Sequence, residues 1–530
     1  MSVNSRQMLI HSFSQVLCEY VYNDVLTSPA AIKIVQDLLF GTANRLYDLK
    51  LTLNLSKSTV PSGDHYDSNN FDRSLVVDMG TLRHFLSQNP TIKFLRLQWV
   101  DYTATVRVRI LPVMYALDLF HQGKGVSVTK AVLGLLQTDA LSAGVSATGQ
   151  YQLYPKFGSL CIGARPGYAM MQCEFREDDG QSVAACPRTS LRKVVDQARD
   201  HGMTFLVGFE IEVFFMVPGL RNNTVQYRLK PTTQGQSWSS ARALHDNKIM
   251  DLVESIVTQL EASGITIQQF HAESGPGQYE FVMNPLEPLA AVDSLICARE
   301  IIISVAYKHG MRATFVPKPY PNGVGSGSHV HVSMTPPGSH RHFLAGLLKH
   351  LAAIVAITHP NIASYERVTD STWSGGKTKH SSICVPASSD IAVPGTWIAW
   401  GTQNRETPIR YISDSRYEIK CVDGFANPYL ALSAIIGAGV QGVLDSEPLL
   451  HNDCLDDPAK LSSDERQALG IKRQMPKSID EAFDCFEGSG LRHILGDAVY
   501  ENYLAVKEAE AELLRPMQAE ERRQWLIERY

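Results

Sequence analysis

The sequence predicts an α+β protein. Apolar runs of strand length recur at residues 92–100, 105–111, 205–216, 265–270 and 312–317. Between and after them lie segments with helical periodicity, at 243–263, 290–309 and from about residue 429 onward. Several strand runs contain, or lead straight into, glutamate and histidine, so the strands also carry chemistry.

The totals are those of a globular chain. Its 530 residues leave room for roughly two to four domains. Apolar residues at 44% and charged residues at 19% are ordinary. A net charge of −5 gives no reason to propose a nucleic acid partner. The 9 cysteines are scattered singly with no CxxC pair, which argues against structural zinc and a disulfide framework and predicts reduced thiols in a cytoplasmic protein. Residues 1–14 carry Asn4, Arg6, Gln7 and His11 and no apolar run after a basic start, so no signal peptide is expected. No membrane span is expected either. Residues 344–358 are interrupted by Lys349 and His350, and 429–444 is too short. The latter follows Asn427-Pro428, a cap and first-turn pair, and reads as a buried helix.

In order, residues 1–50 read as helical, with Leu9, Phe13, Val16, Leu17 and Val21 at helical spacing. Residues 54–74 are polar and turn-rich, a linker signature. Strands follow at 92–100 and 105–111, with Asp101 between them. Pro187-Arg188-Thr189-Ser190 introduces an amphipathic helix. The strand 205–216 holds Glu210 and Glu212, two residues apart and so on one face. Two adjacent carboxylates on an otherwise apolar strand repel each other and call for a cation, unless the pair sits at an exposed sheet edge. In 243–263, Ile249, Leu252, Val253, Ile256, Val257 and Leu260 form one helix face, and Gly264 is a stop.

Four segments share this placement of acidic or histidine side chains: Glu210/Glu212, Glu273/Glu280, His329/His331 and Glu418. Together they suit two hard divalent cations, Mg²⁺ or Mn²⁺. His-x-His alone is more often structural than ligating. The glycine-rich run before His329 allows close backbone approach but matches neither a Walker loop nor a dinucleotide fingerprint. Arg367, Arg405, Arg410 and Lys420 lie in the segments around Glu418. Any one of them could be a surface cation; jointly with two metals they form a device that neutralises a transferring phosphoryl group.

These residues carry a resemblance. Gly208-Phe-Glu-Ile-Glu, Glu273-x6-Glu280 with its Gly-Pro-Gly-Gln, Gly-Ser-Gly-Ser-His-Val-His-Val-Ser, and Glu418 followed by Asp423-Gly-Phe-Ala-Asn-Pro-Tyr-Leu occur in this order in the type I glutamine synthetase family. The chain resembles that family from about residue 91 to its end. Residues 1–53 resemble the tail of an amidohydrolase domain, as in the fungal developmental-signal branch where an amidohydrolase precedes a synthetase-like domain. The resemblance implies a helical remnant at 1–53, a linker at 54–90, a β-grasp domain at 91–185 and a catalytic domain at 186–530. The last would be a curved antiparallel sheet surrounded by helices.

The resemblance also implies roles. Glu212, Glu273 and Glu280 match the ligands of one metal; Glu210, His329 and Glu418 match those of the second. Arg367 matches the arginine on the substrate α-carboxylate, and Gly325 a further substrate contact. Arg405 and Arg410 match arginines on the phosphates, with Lys420 at a third phosphate-binding position. His331 and Ser333 match nucleotide contacts. Asp101 matches the aspartate that a neighbouring subunit contributes to deprotonate ammonium. The implied reaction joins a γ-carboxylate to ammonia or an organic amine through an acyl phosphate, with ATP and two Mg²⁺ or Mn²⁺ ions, in a homo-oligomer whose sites lie between subunits. The alternative is a catalytically inactive structural or regulatory descendant.

Departures bear on the substrate. Val324 stands where the family has a glutamate-binding asparagine. Lys420 stands for an arginine and lacks its bidentate fork. Six residues after Arg367, where the family's flap carries a glutamate, stands Trp373, and residues 369–389 contain no glutamate. Such a change favours an organic amine or a different acid. The family's regulatory tyrosine segment is unrecognisable around residues 452–455, so adenylylation control is not expected.

Overall fold

The strand-forming runs pair into two sheets. The computed structural model describes residues 73–221, 224–229, 239–321, 324–368 and 397–530. The helical stretch expected at 1–50 and the flap around Trp373 lie outside the described residues. Residues 73–530 form one compact unit that contains both sheets.

The first sheet has six strands: β1 (Phe94–Val100), β2 (Val106–Pro112), β3 (Val126–Thr129), β4 (Gln150–Pro155), β5 (Cys161–Ile162) and β6 (Tyr168–Arg176). Their order is β2-β1-β6-β4-β3, with β5 on β6, and only the β1–β6 pair is parallel. The second sheet has nine: β7 (Thr204–Arg221), β8 (Thr224–Leu229), β9 (Ile267–Ala272), β10 (Gln278–Met283), β11 (Arg312–Thr314), β12 (Val330–Thr335), β13 (Trp400–Thr402), β14 (Ile409–Ser413) and β15 (Arg416–Ile419). Its order is β13-β14-β15-β12-β7-β10-β9, with β8 and β11 also on β7.

The helices begin with α1 (Arg73–Gln88), α2 (Val113–His121), α3 (Pro187–Asp200), α4 (Ser240–His245), α5 (Asn247–Ala262), α6 (Pro288–Lys308) and α7 (His340–Thr358). They continue with α8 (Ile362–Val368), α9 (Pro428–Leu444), α10 (Ser463–Ala468), α11 (Ile479–Glu487), α12 (Leu491–Leu495), α13 (Asp497–Leu514) and α14 (Ala519–Arg529). The helix expected over 243–263 is two pieces, because the Asp246 side chain caps a new start by accepting from the Ile249 amide. The Asn427 cap forms as the sequence suggests: its side chain accepts from the Tyr429 and Leu430 amides, and α9 is buried. The segment 337–358, apolar enough by length to cross a membrane, is 78% buried and packs against α9 in the core.

One expectation is overturned. The stretch 54–90 is not linker throughout, since α1 occupies its second half. Met79 and Leu82 are buried in the main core, with Phe85 and Leu86 packed against it. That spacing is helical, and burying it offsets the polar start of the segment.

β7 explains the apolar character of its own sequence. Phe205, Val207, Phe209, Ile211, Val213 and Phe215 alternate into the main core. On the opposite face, Phe214 and Met216 enter a second cluster with Val316, Val324 and Phe425. Between that cluster and exposed Leu206, the same face presents Gly208, Glu210 and Glu212.

Candidate active site

Strand register assembles the site. Residues directly opposed on neighbouring strands share a face. Arg410, Glu418, His331 and Gly208 are successive partners across β14, β15, β12 and β7. Glu212, Glu280 and His271 are partners across β7, β10 and β9. Because β7 is central, its Glu210 and Glu212 link the two lines.

In the first group, Glu210, His331 and Glu418 offer donor atoms all within 4.8 Å of one another. His331 Nε2 lies 2.8 Å from Glu210 Oε1. His329 Nδ1 lies 3.1 Å from Glu210 Oε2 and 3.6 Å from Glu418 Oε1, and its Nε2 is 3.6 Å from Glu212 Oε1. The second group is His271, Glu273 and Glu280, within the same limit. His271 Nε2 is 3.4 Å from Glu280 Oε1.

Each expected ligand group gains a further imidazole. His331, expected on the nucleotide, joins Glu210 and Glu418, because it is the residue of β12 that directly opposes Glu418. His329 precedes β12 and stays within reach of the same carboxylates. His271, absent from the sequence reading, joins Glu273 and Glu280. Its signal was present: it lies two residues before Glu273, the same spacing that singled out Glu210 and Glu212.

Glu212 is positioned by its neighbours. Its Oε2 accepts from Gln278 Nε2 at 2.9 Å and from the Gly327 amide at 2.8 Å. Gln278 also donates to the Gly325 carbonyl, and its Oε1 accepts from the Gly275 amide. Arg367, from α8, runs along this turn. A Cβ at Gly325 would meet Arg367 Cγ at 2.6 Å, and one at Gly327 would meet His329 Nε2 at 2.6 Å and Arg367 Nη2 at 2.8 Å, so a side chain at either position would displace Arg367. Arg367 Nη2 is 3.3 Å from His329 Nε2.

The charges are tightly balanced. Burial would raise the Glu210 carboxyl, but His329 and His331 outweigh it and hold the group well below the usual range. Burial and Lys420 oppose a proton on His329, yet Glu210 and Glu212 raise it overall. Glu418 is lowered, because Lys420 and His329 overcome its burial. Glu280 is raised, first by burial, with Glu210 and Glu212 adding to it against His271. The hydrogen bond that His271 donates to Glu280 raises its imidazole to about 9. Clustered buried carboxylates with imidazoles are a donor set suited to hard divalent cations, so the residues fit two such ions.

The cationic residues divide. Arg410 Nη1 donates to Glu418 Oε2 at 3.0 Å, and its Nη2 donates to Gln403. Lys420 is buried, with Nζ 3.7 Å from Glu418 Oε1. Arg405 is not brought in: it is exposed on the β13–β14 loop and has no side-chain partner among the described residues. Ser333 and His331 line a cleft of about 100 Å³ with Leu206, Gly208 and Arg416.

Asp101, expected to serve a neighbouring subunit's site, lies apart from this chain's own cluster. It is fully buried in the turn after β1, where it accepts from the Thr103 and Thr105 amides and from Arg107 Nε at 2.8 Å. Val324 is buried in the second apolar cluster.

Comparison with known proteins follows this geometry. The family described as glutamine synthetase, catalytic domain, matches residues 184–530. Protein fluG of Emericella nidulans is 37% identical over 523 residues, covering 98% of this chain; the chain spans 57% of that protein's length. Gamma-glutamylpolyamine synthetase GlnA3 of Streptomyces coelicolor is 31% identical over 445 residues, covering 78% of this chain and 89% of that one. A solved GmaS/ADP complex superposes with a TM-score of 0.67 at 21% identity, over 84% of this chain and 99% of that one, a likeness of fold.

Proposed function

Because the chain belongs to the glutamine synthetase family, on the branch of the fungal protein fluG, we propose that it is an ATP-dependent carboxylate–amine ligase. The acid is glutamate or a relative, reacting at its γ-carboxylate, and the nucleophile is ammonia or an organic amine. The observation that carries this reading is the pair of opposed lines across the second sheet, whose three glutamates and two histidines are joined by Glu210, Glu273 and His329.

Glu210, His331 and Glu418, with His329 beside them, would hold one Mg²⁺ or Mn²⁺ ion; His271, Glu273 and Glu280, with Glu212, would hold the other. Bound there, the ions would supply charge neutralisation to the phosphate oxygens. The chain's own residues do the rest. Arg410, held by Glu418 and Gln403, and Lys420 present fixed positive charge to the nucleotide side. His331 and Ser333 border the cleft offered to the nucleotide. Arg367, held over Gly325 and Gly327, presents its guanidinium to the acid's α-carboxylate. In the reaction the γ-carboxylate oxygen attacks the terminal phosphorus of ATP and ADP leaves. The amine nitrogen then attacks the acyl carbon, phosphate leaves with the C–O bond electrons, and the amine gives up a proton.

The first sheet would be the family's β-grasp domain, with the catalytic domain beginning near residue 186, in a cytoplasmic homo-oligomer. Asp101, held by Arg107 and two backbone amides, would serve the site of a neighbouring subunit, where it would help deprotonate the incoming amine. Val324, buried where the family has a polar contact, and a flap sequence without glutamate favour an organic amine, as does the polyamine product named for GlnA3.

The test is ADP release with ATP, Mg²⁺ and glutamate against ammonia, hydroxylamine and a panel of mono-, di- and polyamines. One amine should stimulate release above all others. If no acid–amine pair releases ADP while ATP and Mn²⁺ still bind, ligase activity is excluded. The second reading, a non-catalytic descendant, then stands. It is favoured by the departures at Val324 and Lys420, and Glu212→Ala should then leave the biological role intact.

A further inference from the structure

The turn between β1 and β2 is closed locally by Asp101. Its Oδ1 accepts from the Thr103 and Thr105 amides and from the Thr103 hydroxyl. Bonds of this kind are the ordinary content of an Asx turn. Ala104 lies in the left-handed region, with φ 64°, a conformation that costs energy for a residue with a Cβ and that the surroundings must hold in place. Two further bonds arrive from far along the chain. Asn427 Nδ2 donates to the Asp101 carbonyl at 2.9 Å, while its Oδ1 caps α9. The Tyr530 hydroxyl donates to the Thr103 carbonyl, the peptide oxygen immediately before Ala104.

Tyr530 is itself anchored. Gln137 Nε2 donates to its hydroxyl and to Glu510 Oε1, which lies 3.4 Å from that hydroxyl. Glu510 is buried and paired with buried Lys507 at 2.7 Å. The Tyr530 ring stands edge-on to Phe425, with centroids 4.7 Å apart. Burial raises the phenol well above its ordinary value, so it keeps the proton it donates. The loop that carries Gln137 also holds the other side of the turn. Arg107 donates from Nε to Asp101 Oδ2, from Nη2 to the Leu136 carbonyl and from Nη1 to Asp139. Residues 136–139 thus grip the Asp101 turn twice, at its carboxylate through Arg107 and at its backbone through Tyr530. Support of this kind is what a reacting group needs, since a displacement of about 1 Å can cost about 100-fold in rate.

We propose that Tyr530 is a positioning residue for the amine step: by holding the Thr103 carbonyl it fixes the turn that presents Asp101. The proposal rests on the ligase reading, in which Asp101 takes a proton from the amine at a neighbouring subunit's site. Among the described residues, three donors fill Oδ1 and Arg107 alone reaches Oδ2, so Oδ2 has a lone pair to spare. An ammonium N–H proton passes to Oδ2, and the lone pair left on nitrogen attacks the acyl carbon.

The test uses the full chain with Tyr530→Phe, which keeps the ring and removes only the hydroxyl. Hydrogen–deuterium exchange needs no substrate. Peptides covering residues 101–107 should exchange roughly fivefold faster than in wild type, and those of the second sheet should not change. With ATP, Mg²⁺ and glutamate, kcat/KM for ammonia or an alkylamine should fall roughly tenfold at neutral pH, while KM for ATP and the Mn²⁺ affinity stay as in wild type. Both amines are protonated there and need the acceptor. The loss should shrink as pH rises toward the amine's own pKa, and hydroxylamine, largely unprotonated at neutral pH, should be affected least. A merely structural tyrosine would lower all of these alike. Asp101→Asn should show the same pattern, and the double variant should be no slower than Asp101→Asn alone. Where Tyr530→Phe does not fold, Gln137→Leu, which removes the donor to the hydroxyl, takes its place with the same expectations. The proposal is overturned if exchange over 101–107 is unchanged, if the loss is equal for every amine at every pH, or if the two substitutions add. A wild type that releases no ADP with any amine defeats the ligase reading instead, and the exchange result then decides alone whether Tyr530 holds the turn.

Discussion

Gln278→Met tests whether Glu212 is held for a cation. Gln278 is 1% exposed and satisfies three groups at once: Glu212 Oε2 at 2.9 Å, the Gly325 carbonyl at 3.0 Å and the Gly275 amide at 2.9 Å. Methionine keeps the volume and removes every one of these bonds. Two neutral bonds at about 1 kcal/mol each, and one to a charged group at about 1.5 kcal/mol, put the loss of stability at roughly 3.5 kcal/mol. Glu212 keeps its bond from the Gly327 amide, so the carboxylate is loosened rather than released. Losing a partner that orients a metal ligand ordinarily costs 10- to 100-fold in affinity, about 1.4–2.7 kcal/mol. Mn²⁺ titration by calorimetry, with circular dichroism to show that the fold survives, reads this directly. A folded Gln278→Met with the Mn²⁺ affinity of wild type would refute the reasoning. Gln278→Glu sharpens the test. A carboxylate there faces Glu212 and cannot donate, so this variant should be less stable than Gln278→Met in EDTA and should gain more Tm from Mn²⁺. Equal gains would mean that charge is not what Gln278 answers.

Glu280→Gln should raise the Tm of the metal-free protein, since burial and the nearby Glu210 and Glu212 oppose its charge. It should also lose most of the Tm gained from Mg²⁺, and a lower metal-free Tm would contradict the reading. Buried Asp423 is raised from 3.8 to about 6, mainly by desolvation. Its neutral form is thus favoured in the folded state, and that stability is fully present below the unfolded value and lost as pH rises through about 6. The loss is about 3 kcal/mol. Asp423→Asn should therefore gain on wild type between pH 4 and 7.5 in urea unfolding, and parallel profiles would count against this. The Cys161 and Cys297 sulfurs lie 3.0 Å apart, and Cys297 is held well above its ordinary value first by its hydrogen bond with Cys161. Diamide should join them, slowly at neutral pH and faster at alkaline pH, and peptide mass spectrometry should find this pair cross-linked before the buried thiols Cys173 and Cys421 react. Prior reaction of either buried thiol would overturn the prediction.

What the sequence could reveal was set by distance along the chain. Glu210 and Glu212 share a strand, so their common face follows from period two alone. His331 and Glu418 meet only through the pairing of β12 with β15, and His271 meets Glu280 only through that of β9 with β10. No local period encodes such a register, so neither the closeness of His331 to Glu418 nor that of His271 to Glu280 could be read from the sequence. Asp101 shows the converse. The partners that enclose it, Thr103, Thr105 and Arg107, lie within six residues and are legible as a local turn. The α1 helix was hidden for a simpler reason: the polar residues before it dominate the window, although Met79, Leu82, Phe85 and Leu86 already had helical spacing.

The same register divides the candidate site into an end carried on the sheet and an end carried on a helix. Every residue of the two opposed lines lies on strands of one sheet, where displacing any of them means breaking a ladder. Rigid elements of this kind are what a phosphoryl-transfer geometry needs. The acid side is built differently. Arg367 comes from the short helix α8, steadied by two glycines that let it pass, and the adjoining Val324 turns into an apolar cluster instead of offering a polar group. On the proposed reading, a substrate there would gain orientation from Arg367 and none from position 324. Substitutions along the lines should therefore abolish reaction with every amine alike, whereas changes at Val324 should reorder the preference among acids without removing ATP or Mn²⁺ binding.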